Sequence, residues 1–212
     1  MISSTASQTH HAGRLKVRPI IPGTPRVRVI HKPAGYAPFA TFSCGSGKPE
    51  TVVNDIVAAQ YAGKEDPRIK VVIMETPRVG LVGMAAFVPR PLTFDVLPTP
   101  ERGTRSSTTT VAIGEAAYIH AIGIGERFQL HRLEDSGRVG SFLLEGMLYH
   151  VGEAFDGEIP WTWAYVDPVN APSQRLFYEN GFGYIPPQGP NEESKRILPK
   201  GAARPHAMRQ PR

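Results

Sequence analysis

The stretch from Trp161 to Phe182, WTWAYVDPVNAPSQRLFYENGF, decides the fold. Its first six residues are mostly aromatic and β-branched, a strand signal. Asn170 can then cap a short helix, because its side-chain oxygen suits an orphan amide of the first turn. Pro172 falls in that first turn, where a missing N–H is harmless. Asn180-Gly181 ends the helix. Phe182 to Ile185 starts another strand, with Lys195–Leu198 available as its partner. Strand, helix and strand within so short a span point to a mixed α/β domain.

Working upstream, Val139 to Phe155 is the clearest helix of the chain. Val139, Phe142, Leu143, Gly146, Met147, His150, Val151, Ala154 and Phe155 follow the i, i+3, i+4, i+7 spacing of one apolar face, and Gly157 is a stop signal. Glu115 to Ile124 reads as a strand. Lys70 to Glu75 and Gly80 to Val88 read as a hairpin around Thr76-Pro77-Arg78. Thr51 to Tyr61 places Val53, Ile56, Val57 and Gln60 at helical spacing, and Arg26 to His31 alternates like a strand. Residues 33–48 and 89–110 are rich in Gly, Pro, Arg and Thr and read as loops. Residues 1–24 and 201–212 are polar and Gly/Pro-containing, and are expected to be loose ends around one domain at 25–200. The fold class expected is α/β (α+β), with a single mixed, mostly antiparallel sheet flanked by helices.

The 212 residues suffice for one domain with a sizeable core. The net charge of +5 is unevenly spread. Residues 1–49 hold seven Lys/Arg and no acid, and residues 195–212 hold six and no acid. The body between them carries eleven basic and nineteen acidic residues, a balance of −8. An acidic body disfavours nucleic acid and suits a cationic substrate. Cys44 is the single cysteine, so neither an intrachain disulfide nor a cysteine metal cluster is expected. Neither a membrane span nor a signal segment is apparent, and a reduced cytoplasm is the expected compartment.

Ser136-Gly137-Arg138-Val139-Gly140-Ser141 joins a strand to the long helix. Two glycines there permit close backbone approach. The first-turn N–H groups of a helix lack internal partners and lie at the positive end of its dipole, so they suit a phosphate. The same glycines also serve as a plain turn. The segment is neither a Walker loop nor a dinucleotide fingerprint.

The spacing N-x-x-S-x-x-L-F-x-x-x-G-F from Asn170 to Phe182 resembles the second motif of the GCN5-related N-acetyltransferases, the GNAT superfamily. The strand and glycine-started helix before it resemble that family's acetyl-CoA motif, and the hairpin Glu75 to Val88 resembles its preceding strands. The similarity spans about residues 26–198. The link ERFQLHRLEDS after Gly125 is longer than the family's, and the family's frequent tyrosine aligns with Phe177, one residue before Tyr178.

The resemblance implies a sheet splayed at the fourth strand and an acetyl-CoA-dependent transfer of acetyl to a primary amine. The amine attacks the thioester directly, with no metal. It places the pyrophosphate at Gly137, Arg138, Val139, Gly140 and Ser141. The pantetheine arm falls along the backbone at Ile122 and Ile124, and Asn170 and Ser173 stand beside the cofactor. His120 is the expected base and Tyr178 the candidate acid. Histidine titrates near neutrality, which suits the first role. In the family's aralkylamine branch, histidines fill the positions of Tyr118 and His120. Strand alternation puts Tyr118, His120, Ile122 and Ile124 on one face. A histidine packed inside the sheet is the competing reading of His120. His150, Trp161 and Trp163 are expected to pack rather than react, and Glu115 and Glu126 to be solvated strand ends. The expected partner is a small-molecule amine, with a homodimer left open. Acetylation of a protein, a peptide or an aminoacyl-tRNA is the alternative, as is a non-catalytic acyl-CoA-binding module.

Overall fold

The computed structural model describes residues 18–96, 109–134, 137–185 and 194–201. Residues 1–17 and 202–212 of the expected loose ends, with Asp135 and Ser136, lie outside the described residues. Seven strands form one sheet: β1 (Arg26–Ile30), β2 (Lys70–Thr76), β3 (Gly80–Pro89), β6 (Ala116–Ile124), β7 (Trp161–Val166), β8 (Gly183–Ile185) and β9 (Ser194–Leu198). Their spatial order is β1-β2-β3-β6-β7-β9-β8. Every pairing is antiparallel except β6 with β7, which is parallel. Three helices flank the sheet: α1 (Lys48–Tyr61), α2 (Val139–Ala154) and α3 (Ala171–Glu179).

Both faces of the central strands are covered, which explains their unbroken apolar runs. From β2, Val72 and Met74 join α2 residues Leu143, Leu144 and Met147 in one cluster. The alternate residues Val71 and Ile73 join Ile56 and Val57 of α1 in the other. Eight residues of α2 are buried, and five of them, Val139, Leu143, Gly146, Met147 and Val151, lie on the apolar face read from the sequence; Ala154 of that face is exposed. His150 packs as expected, with Nδ1 2.9 Å from Glu153 Oε2 and Nε2 3.5 Å from the Val27 carbonyl.

Three expectations fail here. Residues 89–110 are not all loop: β4 (Leu92–Val96) pairs antiparallel with β5 (Thr109–Ile113), so the strand read as the fourth is the sixth. The hairpin is anchored by Leu92, fully buried with Trp163 and Ile197. The 33–48 segment contains a 3-10 turn over Ala37–Thr41. Ile21, assigned to a loose end, is fully buried. Its N–H donates to the Arg132 carbonyl at 2.9 Å, and the Arg132 N–H donates to Pro19 at 3.0 Å. An apolar pair, Ile20-Ile21, between two prolines is the sequence signal for this contact. No helix among the described residues is long and apolar enough to cross a membrane.

Candidate functional site

β6 and β7 part company early. Their pairing runs only from Ala116–Trp161 to Tyr118–Trp163. Beyond Tyr118, β6 continues to Ile124 with β3 on one side and, among the described residues, no paired strand on the other. The sheet is therefore splayed at this strand, as expected.

The bared edge carries usable backbone groups. Gly125 N–H donates to the Val82 carbonyl at 2.9 Å, a bond directed at β3. Antiparallel pairs alternate between exchanging hydrogen bonds and facing away. The Gly83–Ile124 and Ala85–Ile122 pairs then turn the N–H and C=O of Ile124 and Ile122 out into the gap. Gln129 Nε2 reaches the Ile124 carbonyl from that side, at 3.4 Å.

His120 occupies a β-bulge. Ala86 faces Ala121 and Phe87 faces Ile119, so His120 is the extra residue between them. A bulge puts two successive side chains on one face and re-aims the remainder of the strand. Here it corrects the expected alternation. Tyr118 and His120 line a cleft on the α1 side with Ile69 and Val88, and Ala121 packs with α1. Ile122 and Ile124 are on the opposite face, packed against the α2 cluster. Gly123 faces α1 so closely that a Cβ there would lie 2.5 Å from Cys44 Sγ. Burial pushes the Cys44 thiol up to about 12, so it stays protonated and is no nucleophile.

α2, whose Leu143 lies in one cluster with Ile124 of β6, begins with no side-chain cap from Arg138. The chain just ahead is tied back by a bridge between Arg132 and Arg138. The Arg138 guanidinium is ion-paired with Glu179 of α3 rather than standing alone. Neither Gly137 nor Gly140 adopts a positive φ. A Cβ on Gly140 would lie 3.3 Å from Leu176 Cδ1, so glycine lets α3 approach the first turn. Ser141 Oγ accepts from Asn180 Nδ2 at 3.2 Å. Val139 is buried in the core. The amides of Gly140 and Ser141, second and third in the helix, are among the first-turn N–H groups that have no intrahelical acceptor.

Asn170 caps α3, its Oδ1 accepting from the Ser173 N–H at 3.1 Å. That bond gives both residues a structural role at the positions expected to touch cofactor. Tyr178 is not brought to β6. It is 73% exposed, whereas Phe177 is buried against Phe182. The roughly 100° step between neighbours on a helix separates them. Trp163 is buried, with its Nε1 on the Arg90 carbonyl at 3.4 Å, as packing required. Glu115 faces solvent beside Lys200, 3.8 Å away. Arg90, which sequence reasoning passed over inside an apparent loop, lines the same cleft as His120.

No family model matches the chain, and no curated protein matches it in sequence. Solved structures match its fold. AtaTR bound with AcCoA superposes with a TM-score of 0.56 at 14% identity, over 82% of this chain and 93% of that one. AtaT complexed with acetyl-methionyl-tRNAfMet gives 0.52 at 16%, over 83% and 95%. The N-acetyltransferase PseH of Campylobacter jejuni, in complex with acetyl coenzyme A, gives 0.51 at 10%, over 83% and 99%.

Proposed function

We propose that this chain, which has the GNAT acetyltransferase fold, is an acetyl-CoA-dependent N-acetyltransferase acting on a primary amine of a small molecule. The bared edge of β6, running from the His120 bulge toward an uncapped helix start, carries this reading. Acetyl-CoA supplies an acetyl thioester, whose C–S bond breaks as the N–C bond to the amine forms and CoA leaves as a thiol. The outward N–H and C=O of Ile122 and Ile124 hold an extended arm as an added strand would. The amides of Gly140 and Ser141, with the helix dipole, hold phosphate. An N–H of β6 beside the bulge would polarise the thioester carbonyl. His120 takes the proton that the ammonium must lose.

Thermal shift with CoA and with acetyl-CoA, followed by thiol release across a panel of amines, tests this directly. Both ligands should raise Tm, and at least one amine should release thiol. No shift at millimolar ligand would remove the enzyme reading, and a shift without release would favour a binding module. His120→Ala should lower kcat by about 100-fold and remove a limb of its pH profile. An unaltered profile would remove His120 from proton transfer.

An aminoacyl-tRNA acceptor is the second reading. AtaT, similar in fold, is complexed with acetyl-methionyl-tRNAfMet, so the fold gives no reason to disfavour nucleic acid. The thirteen basic residues at the chain ends suit such a partner. Activity on small amines that is indifferent to salt would count against it.

A further inference from the structure

A cleft of about 360 Å³ opens on the α1 side of the point where β6 and β7 separate. Its walls include Glu65, Asp66 and Arg68 after α1, Arg90 between β3 and β4, and Tyr118 and His120 of β6. That size suits a small ligand. The two arginines differ. Arg68 is matched by Asp66, with its Nε at 3.0 and 3.1 Å and its Nη2 at 2.7 Å from the carboxylate. Arg90 has no carboxylate partner among the described residues.

Arg90 is nevertheless held in place. Its N–H donates to the Ala116 carbonyl at 2.9 Å, and its own carbonyl accepts from Trp163 Nε1. Its guanidinium carbon lies 5.2 Å from the Tyr118 ring centroid and 5.6 Å from that of Trp163. Stacking on rings fixes the plane of a guanidinium while leaving its edge N–H groups available. That edge matches a carboxylate in two parallel hydrogen bonds. The cleft thus holds a positioned, uncommitted fork and the bulged imidazole.

We propose that Arg90 selects an acceptor amine that also bears a carboxylate, holding the carboxylate while the amine is presented to His120. The acceptor class is then an amino acid or an amine of similar form. This inference rests on the N-acetyltransferase reading above. It also separates a free amino acid from an aminoacyl ester, which has no carboxylate to offer.

The test uses the full chain and pairs of amines that differ only by the carboxylate: L-phenylalanine against phenethylamine, and L-lysine against cadaverine. Thiol release should show at least a tenfold preference in kcat/KM for one carboxylated member over its partner. Arg90→Met, which keeps the stacked stem but removes the fork, should bring that ratio within twofold of one. Arg90→Lys should recover only part of it. The wild type lacking any preference, or Arg90→Met retaining it, would overturn the proposal. Calorimetry of the same amino acids with the CoA-loaded protein gives a second readout. If no amine releases thiol, the acetyltransferase reading fails. Amino-acid binding lost in Arg90→Met, with Tm kept, would then still support the cleft assignment. Absence of amino-acid binding to the wild type would overturn it.

Discussion

The first turn of α2 meets the end of α3, yet the two helices begin differently. α3 opens with Asn170, whose side chain accepts from the Ser173 amide, and with a proline in the first turn. Its orphan amides are satisfied within the chain. α2 opens at Arg138 with no side-chain cap and a glycine second in line. A capped start closes a helix for the sake of stability, whereas a start left uncapped keeps its dipole and amides for a ligand. On the proposed reading, changes at the start of α2 report on binding and changes at the start of α3 on folding.

Ser141→Asp attacks the contrast with the largest expected effect. A carboxylate at this position keeps an acceptor for Asn180 Nδ2 and favours the helix dipole by about 0.3–1 kcal/mol. On the proposed reading it would also stand near the phosphates, taken as about 5 Å away for an order-of-magnitude figure. At an effective dielectric of about 20, that repulsion is about 3 kcal/mol. Calorimetry should find CoA affinity reduced roughly 100-fold, with Tm held or raised. Unchanged affinity would mean that α2 does not hold the phosphate and would dissolve the distinction between the two helices.

Asn170→Ala tests the other side. Loss of the cap should cost about 1 kcal/mol, or about 2–4 °C in Tm for a domain of this size, with CoA affinity unaltered. Asn170→Asp should keep both, since a carboxylate caps equally well. If Asn170→Asp instead weakened CoA binding at constant Tm, the asparagine would be a cofactor contact as well as a cap.

These two helices also show how far the sequence could be read. The cap at Asn170, the apolar face of α2 and the strand Trp161–Val166 are legible because each is written in local chemistry or period. The bulge at His120 is not. Its register is set by β3, and the segment AYIHAIGI alternates without any local mark of an extra residue. For the same reason strict alternation puts the side chains of Ile122 and Ile124 on the wrong face, although their backbone is the part that meets the gap. The hairpin of β4 and β5 is hidden by flanking Pro, Arg and Thr, and with it Arg90. Only the tertiary burial of Leu92 against Trp163 shows why that segment is ordered.

The smallest effect concerns the side chains that join the two helices. Glu179 accepts from Arg175 in its own helix and from Arg138 at the start of α2. The hydrogen bond from Arg175, together with the weaker one from Arg138, holds its carboxyl below the usual glutamate range. A carboxyl with a lowered folded pKa stabilises the native state above its unfolded value of about 4.3. That stabilisation fades as pH falls through the folded value. Glu179→Gln should therefore make the fall of Tm with acid shallower below about pH 4.3. The same change frees Arg138 from its ion pair, and on the proposed reading its guanidinium would then turn to the phosphate. CoA affinity should rise by about twofold at low salt, the scale of an exposed ion pair, and the gain should vanish in high salt. A loss of affinity would show instead that Glu179 positions the first turn of α2, and that the start of α2 and the end of α3 act as one unit.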